Sequence, residues 1–313
     1  MNTIKFAPYN EFITEQHNVE TATVEDFVAF DYKGKFYNPC NLNIFITNKC
    51  QNNCDFCINK QNDRTDVDDD LYFTRLYDGL HVLVGGNLHL EATITGGEPT
   101  LNPKRFVETL KCLREYNIKE RTVSTTGIGL LNKYEGKTIL QHLIDFDYTH
   151  NISISRMAID ENENNQILNG NNIDNETLRK IAFNAYVNGV QLRTSTNIIP
   201  GHVDSVKKIL DFVDFHHSLG INSCLFREII GPGCFPIDDM CETIRTCQDF
   251  AYERTLNGMF YDIDVYLYRA STGQEYIVKL YKTHVVDKSV IGTLSFNQGK
   301  FRIGFNGEVI YGK

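Results

Sequence analysis

The 313-residue sequence lacks long apolar runs, long basic runs and a signal-like start. No stretch approaches the ~18 consecutive apolar residues that a transmembrane helix needs, so no transmembrane helix is expected. With 31 basic against 40 acidic residues and no extended lysine and arginine run, duplex nucleic acid and anionic membranes are not expected as partners. The first residues contain no apolar core of signal-peptide length, and this favours a cytoplasmic protein.

Nine cysteines in a chain without a signal peptide indicate metal use in a reducing compartment rather than a disulfide framework. Cys50, Cys54 and Cys57 form a C-x3-C-x2-C run directly after the strand-like stretch 42–47. No histidine lies near the run and the next cysteine is Cys112. The local sequence therefore supplies only three of the four ligands that a structural zinc site needs. Three thiolates can instead hold three irons of a four-iron cube and leave the fourth iron open.

A second motif follows the strand-like stretch 88–95, which ends in Gly96-Gly97-Glu98-Pro99. Glycines can take positive φ and let a ligand approach the backbone closely, while proline fixes the turn. A carboxylate at the end of a strand can hold an ammonium group. Taken alone, such a sequence is also typical of an ordinary turn before a helix.

In this order, the two motifs resemble those of the radical S-adenosylmethionine (SAM) enzymes. The family's C-x3-C-x-aromatic-C run is matched by Cys50, Cys54, Phe56 and Cys57, and its Gly-Gly-Glu-Pro motif by residues 96–99. The resemblance implies one oxygen-sensitive [4Fe–4S] cluster whose open iron binds SAM. It also implies an electron donor such as flavodoxin or ferredoxin. Reductive cleavage of SAM would give a 5′-deoxyadenosyl radical that abstracts a hydrogen atom from the substrate.

Apolar strand-like and helix-like stretches alternate between residues 42 and 230. The predicted strands are 42–47, 88–95, 120–125, 150–155, 191–198 and 222–228, and the predicted helices include 70–84, 103–116, 136–144, 174–188 and 203–218. Alternating βα units predict an α/β fold with a parallel sheet covered by helices. Six units match the partial (β/α)6 barrel of the radical SAM family, in which ligands sit at the carboxyl ends of the strands.

The remaining segments extend this predicted barrel. The domains are predicted as an N-terminal leader with a hairpin at 1–39, the barrel at 40–235, and a helix plus a small β-rich cap at 236–313. The hairpin turn is predicted at Lys33-Gly34, and a second hairpin at Asn306-Gly307. Residues 237–257 are predicted as one helix, and the asparagine-rich stretch 161–172 as a polar loop with a compositional bias.

Residues 120–230 resemble the molybdenum-cofactor GTP cyclase branch of the family. In that resemblance Ser153 takes the place of a serine that contacts SAM, and Ile230 that of an apolar residue lining the adenine. Two departures stand against it: Asn43 replaces the branch's substrate-binding arginine, and no cysteine follows Cys247 to build a second cluster. One cluster is therefore expected.

The preferred interpretation is a radical SAM enzyme acting on a small polar or nucleotide-like substrate. The predicted substrate-binding residues are Asn43, Thr125, Arg156, Arg193, Asn197, Arg227 and Arg302. Cys234, in a predicted loop at the barrel mouth, is either a plain thiol or a hydrogen-atom donor to a substrate radical. The alternatives are a peptide-modifying (RiPP) maturase, a glycyl-radical activating enzyme, and a non-catalytic iron–sulfur or zinc protein.

Overall fold

The structure, a computed structural model, describes residues 23–60, 62–118, 121–146, 149–229, 237–257, 261–270, 273–283 and 289–313. Ile230 and Cys234 lie outside the described residues, so their predicted roles stay predictions. In the described part of the chain, no helix is both long and apolar enough to cross a membrane.

The secondary structure follows the predicted alternation closely. The strands are β1 Thr23–Ala29, β2 Tyr32–Phe45, β3 Leu90–Thr95, β4 Arg121–Thr125, β5 Lys133–Tyr134, β6 Lys137–Thr138, β7 Thr149–Ser155, β8 Gln191–Asn197, β9 Ser223–Arg227, β10 Phe250–Asn257, β11 Tyr261–Arg269, β12 Glu275–Thr283, β13 Val290–Asn297, β14 Lys300–Ile303 and β15 Val309–Tyr311. The helices are α1 Asp69–Gly85, α2 Pro103–Glu115, α3 Ile139–Asp145, α4 Glu161–Leu168, α5 Asn175–Val187, α6 Val206–Ser218 and α7 Asp238–Thr246.

One large sheet carries the strands in the order β10-β11-β12-β9-β8-β7-β4-β3-β2-β13-β14-β15, and β1 pairs with β2. Its centre, β2-β3-β4-β7-β8-β9, is parallel throughout. The predicted α/β class and its six-stranded parallel core are confirmed, and the core is compatible with the partial (β/α)6 barrel. All six carboxyl ends therefore lie at the same edge.

The two faces of the central strands differ in polarity because successive side chains point to opposite sides. One set of alternate residues, such as Ile44, Ile94 and Ile152, packs with apolar side chains of α1, α2, α3 and α5 in the main core. The opposite set is largely polar, for example Asn43 and Ser153, although the apolar Phe45 and Leu225 also belong to it. We call this second side, turned away from the helices, the inner face.

Capping residues mark the ends of helices α5 and α2. The Asp174 side chain accepts a hydrogen bond from the backbone of Thr177 at 2.6 Å, which caps α5. Beyond the end of α5, Gly189 has φ +73°, the left-handed conformation typical of a helix C-terminus. For α2, Asn102 caps the helix and Pro103 takes its first position.

The prediction of one helix over 237–257 is wrong. Helix α7 ends at Thr246, and β10 begins at Phe250. Strand β10 pairs antiparallel with β11, and the Phe250 ring lies 5.3 Å from that of Tyr268. The pairing of β10 with a strand further along the chain outweighs the local helical pattern. That pairing depends on residues outside 237–257, so the pattern within this segment does not reveal it.

The predicted polar loop at 161–172 is also wrong for its first part, which is helix α4. The Asp160 side chain accepts from the backbone of Glu163 at 2.8 Å and caps the helix. Asn169, with φ 48°, ends it in the left-handed conformation. Asp160 followed three residues later by Glu163 is a capping-box pattern, a signal that the sequence did contain.

Both predicted hairpins exist, but one has a different turn. Strands β1 and β2 meet through Phe30 and Asp31, with φ values of 54° and 64°, and not through Lys33-Gly34. Two successive positive φ values are typical of a tight hairpin turn. The β14–β15 hairpin encloses Asn306-Gly307 as predicted.

The C-terminal β-rich region lies beside the parallel core and extends the same sheet at both edges. Strand β12 pairs in parallel with β9, whereas the next strand, β13, pairs in parallel with β2. Strands from all three predicted domains thus hydrogen-bond within one sheet. The domain boundaries at 39/40 and 235/236 stay predictions.

Candidate functional site

The cysteine loop begins where β2 ends, at the carboxyl edge of the core. The Thr47 hydroxyl donates to Asp66 at 2.8 Å and accepts from the backbone of Lys49 at 3.0 Å. Buried Arg105 on α2 donates to the carbonyl of Ile46 at 3.1 Å and to Asp69 at 2.7 Å. A polar network therefore fixes the entry to the loop.

The three thiols of the loop, Cys50, Cys54 and Cys57, are all half-buried. Burial raises the pKa of Cys50, and burial together with the neighbouring thiols raises the pKa of Cys54 to about 12. Metal binding to these groups must therefore displace protons. In the part of the chain that the structure describes, no three His, Cys, Asp or Glu side chains are grouped to hold a single metal ion. Three thiols on one short loop fit a cube held by three cysteines.

The glycines of the second motif lie directly against the cysteine loop. The backbone of Gly97 donates to the carbonyl of Thr47 at 2.7 Å, and that of Glu98 to the carbonyl of Lys49 at 2.8 Å. A Cβ added at Gly96 would lie 2.3 Å from the Thr47 oxygen, and one at Gly97 would lie 2.3 Å from the Lys49 oxygen. Glycine is required here because the two motifs touch backbone to backbone, a reason that the sequence did not reveal.

Glu98 is fully buried, and its carboxylate joins the ends of β3 and β4. One oxygen accepts from the backbone and hydroxyl of Thr100 and, at 2.5 Å, from the hydroxyl of Thr125. The other accepts from the backbone of Thr126 at 2.6 Å and from its hydroxyl at 2.7 Å. Gln51, in the cysteine loop, donates to the same Thr126 hydroxyl at 2.8 Å. The carboxylate predicted to hold an ammonium group is thus also the centre of a hydrogen-bond network, and Thr125, a predicted substrate residue, belongs to it.

Ser153 and Arg193 lie side by side on the inner face of β7 and β8. The Arg193 Nε donates to the Ser153 Oγ at 2.6 Å, and both residues are buried. Ser223 on β9 pairs with Arg193 in the same row. The structure therefore brings together the residue predicted to contact SAM and one predicted to bind substrate.

Asn197 and Arg227 pair with one another at the carboxyl ends of β8 and β9. The Arg227 guanidinium lies over the ring of Tyr281 at 4.9 Å. Asn43 is nearly buried on β2, between Thr93 of β3 and Ser295 of β13. These three predicted residues lie on strands of the same sheet.

Two predicted substrate residues lie elsewhere. Arg156 is fully buried and donates to the carbonyl of Ile173 at 3.1 Å and to Asn175 at 2.6 Å, so it holds the start of α5. Burial lowers its pKa. Arg302 donates to the carbonyl of Gly307 at 3.2 Å and lines a cleft of about 480 Å³ together with Asn48.

Lys279 on β12 is a residue that the sequence interpretation missed. It is only 5% exposed, and it pairs with Leu225 of β9. The alternate residues Val278 and Leu280 pack on the side of α6 and α7, which places Lys279 on the inner face. The alternation along β12 is visible in the sequence, but the position of β12 beside β9 is not.

Comparisons with a family sequence model and with solved structures found the following similarities. Residues 44–216 match the sequence model of the Radical SAM superfamily. The fold is similar to SuiB of Streptococcus suis bound to S-adenosylmethionine, with a TM-score of 0.50 and 18% identity over 63% of this chain and 42% of that chain. SuiB bound to precursor peptide SuiA gives 0.49 and 21% over 61% and 40%. A domain of pyruvate-formate lyase-activating enzyme from Bacteroides vulgatus gives 0.38 and 19% over 48% and 88%. No curated protein matches the chain.

The chain spans less than half of the SuiB chains to which it is similar. The resemblance to the molybdenum-cofactor branch is not confirmed by these comparisons. The family match covers more than half of the chain. The matched residues contain the cysteine run, the Gly-Gly-Glu-Pro motif and most of the parallel core. The protein belongs to the radical SAM superfamily, and it is an enzyme whose cofactors are a [4Fe–4S] cluster and S-adenosylmethionine.

Proposed function

We propose that this enzyme cleaves SAM reductively and abstracts a hydrogen atom from a small, polar, anionic substrate bound on the inner face. When bound, the cluster and SAM supply the 5′-deoxyadenosyl radical. The observation that carries the proposal is the hydrogen-bonded junction of the cysteine loop, Glu98 and Thr126 at the carboxyl ends of three neighbouring parallel strands.

Within this proposal, Cys50, Cys54 and Cys57 are the iron ligands, and Phe56 of the same loop is a cofactor-binding residue. The proposed SAM-binding residues are Gly96, Gly97, Glu98, Pro99, Ser153 and Ile230. Glu98 would also fix the strand ends, since both carboxylate oxygens accept hydrogen bonds from the residues there. A reduced flavodoxin or ferredoxin is the proposed electron donor.

The proposed substrate class follows from the charges of the inner face. Arg193 and Lys279 are two cationic side chains that are nearly buried there, although the whole chain carries a net charge of −9. A carboxylate or phosphate group of the substrate is suited to both, with the arginine offering two donors in a fork. Asn197 and Arg227, at the ends of the same strands, extend the proposed site, and Cys234 stays a proposed hydrogen-atom donor.

The first test concerns the cofactors. Anaerobic reconstitution should give about four irons per chain, the stoichiometry of one cube. Cys50→Ala, Cys54→Ala and Cys57→Ala should each lose the cluster and the dithionite-driven formation of 5′-deoxyadenosine. Cys247→Ala, a half-buried thiol outside the loop, is the matched control and should behave as the parent. A parent protein that takes up no iron would overturn the proposal.

The second test concerns the substrate class. Titration calorimetry with inorganic phosphate and with succinate should detect binding of at least one anion to the loaded enzyme. Arg193→Gln and Lys279→Gln should weaken that binding on the order of tenfold or more, since each removes a charge-assisted hydrogen bond. Lys33→Gln, which changes an exposed lysine, is the control. Binding of neither anion, or eight irons per chain, would favour the peptide-modifying alternative.

A further inference from the structure

The segment that follows β7 touches the cysteine loop directly. The backbone of Asn53 donates to the carbonyls of Leu168 and Asn169 at 3.3 and 3.1 Å, and the Asn169 side chain donates back to the Asn53 carbonyl at 3.4 Å. The Cys54 thiol lies 3.2 Å from the same Leu168 carbonyl. The end of α4 therefore forms one wall of the loop that carries the thiols.

Three asparagine side chains connect this wall to the middle of the loop. Asn52 donates through Nδ2 to the Oδ1 of Asn172 at 2.8 Å. Asn172 in turn donates to the Oδ1 of Asn165 twice, from its side chain and from its backbone, each at 3.0 Å. We call Asn52, Asn172 and Asn165 the asparagine relay. Asn165 lies on α4, so the relay ties the loop to a helix.

The relay ends at a residue that contacts a thiol. Asn52 is 4% exposed, and its backbone N–H donates to the Sγ of Cys50 at 3.4 Å. Hydrogen bonds to cluster sulfurs are one of the means by which a protein sets the reduction potential of an iron–sulfur cluster. The orientation of the Asn52 peptide is therefore a feature with a direct chemical consequence.

Gly170 provides independent support for a close contact at this place. A Cβ added at Gly170 would lie 2.2 Å from the Oδ1 of Asn52 and 2.7 Å from the carbonyl of Gln51. Its φ does not lie in the left-handed region, so backbone conformation alone does not require glycine there. Space for the cysteine loop is the reason for a glycine at this position.

We infer that Asn165 and Asn172 are positioning residues for the cluster, acting through Asn52 to hold its backbone N–H against the sulfur of Cys50. The inference rests on the proposed function, because it takes Cys50 as an iron ligand. It also gives two of the asparagines in the 161–172 stretch a specific role. The relay works through acceptor oxygens, and this makes it testable with matched substitutions.

The test compares Asn165→Asp with Asn165→Leu in the full-length, reconstituted protein. Asp keeps an oxygen that accepts both hydrogen bonds from Asn172, whereas Leu has a similar volume and no acceptor. For the Leu variant, the iron-chelator concentration that removes half of the cluster absorbance should fall on the order of tenfold. Its reduction midpoint should become more negative, and the electron paramagnetic resonance spectrum of the reduced cluster should change. The Asp variant should keep the parent values.

Asn184→Ala, an exposed asparagine on α5, is the control and should match the parent in all three measurements. If the Leu variant fails to fold, Gly170→Ala serves as the second variant, with the same shifts expected because its methyl group displaces Asn52. A parent that binds no iron would overturn the proposed function itself. A loaded parent whose midpoint and spectrum are unchanged in the Leu or Gly170→Ala variant would overturn the relay, as would equal losses in the Asp and Leu variants.

Discussion

Glu98 shows how one side chain can organise the site. Its charge is stabilised by neutral hydroxyls and backbone amides of three threonines rather than through a flexible ion pair. Hydrogen bonds to a charged acceptor contribute more than neutral ones, and a buried group that loses its partner is costly. The carboxylate is therefore a structural centre for the ends of β3 and β4 as well as a candidate SAM ligand.

We expect Glu98→Gln to destabilise the protein by about 1–3 kcal/mol, because the new amide group faces donors and leaves at least one of them without an acceptor. Urea unfolding of the metal-free protein measures this directly. Glu108→Gln, which changes a partly exposed carboxylate on α2, should stay within about 0.5 kcal/mol of the parent. Equal stability of Glu98→Gln and the parent would show that the network does not bear on folding.

Gly97→Ala should displace the cysteine loop, because its Cβ would lie 2.3 Å from the Lys49 oxygen and 2.6 Å from that of Asn48. Overpacking of this kind costs about 1–3 kcal/mol, and here it should also reduce iron incorporation. Gly85→Ala is the matched control, since nothing lies within 4 Å of its added Cβ. The unfolding temperature and the iron content per chain are measured for both variants. A Gly97→Ala protein with the iron content of the parent would contradict the expectation.

At the scale of elements, the sequence predicts well where local signals and tertiary structure agree. The predicted ranges of the central strands and of α5 agree with the structure, where apolar alternation marks the strands and Asp174 and Gly189 stand at the two ends of the helix. The failure at β10 has a different cause, since its identity as a strand depends on pairing with β11. Arg156 is a predicted substrate residue because it follows a strand, and its side chain donates to Asn175 at the start of α5. Side-chain direction after a strand end is not encoded in spacing.

Helix α6 makes stability depend on pH. Burial lowers the pKa of His216 to about 3, and its Nδ1 lies 2.9 Å from the carbonyl of Phe212. The unfolded chain binds a proton near pH 6.5 and the folded chain does not, so stability is greatest above about pH 6.5 and falls as the pH is lowered toward 3. One such histidine costs about 1 kcal/mol between pH 6.5 and 5.5.

His216→Gln should reduce the loss of stability between pH 6.5 and 5.5 by about 1 kcal/mol relative to the parent. Urea unfolding at the two pH values gives the difference. His81→Gln changes an exposed histidine of α1 and should keep the parent's dependence. His217, whose pKa burial lowers to about 4, should account for part of the dependence that is left. An unchanged dependence in His216→Gln would contradict the assignment.

For the whole molecule, the decisive feature is that β12 and β13, consecutive strands, lie at opposite edges of the core. Strand β13 covers the edge of β2, and its Phe296 ring lies 4.9 Å from that of Tyr72 in the core. Lys279 of β12 contributes a cation to the inner face at the other edge. The C-terminal strands therefore complete both the core and the proposed substrate site.

A chain that ends at Thr283 keeps all six parallel core strands and the three cysteines of the loop. We expect it to associate or precipitate, because the edge of β2 and the pocket of Phe296 are left open. Size-exclusion chromatography and circular dichroism measure the outcome. Co-expression of residues 289–313 as a separate segment should restore a monodisperse protein. A truncated chain that unfolds cooperatively and runs as a monomer would show that β13 is dispensable.

The pairing of β13 with β2 also means that β2 is synthesised long before its partner strand. Val290 pairs with Lys35, about 255 positions earlier in the chain. At about 5–20 residues per second, a ribosome needs roughly 13–50 s between these two residues. Throughout that interval the strand that leads into the thiol loop has an open edge, and contacts so distant in sequence are formed slowly. During that period the thiols can be oxidised and the open edge can pair with another chain. Growth at low temperature and with little oxygen should therefore raise the yield of iron-loaded protein.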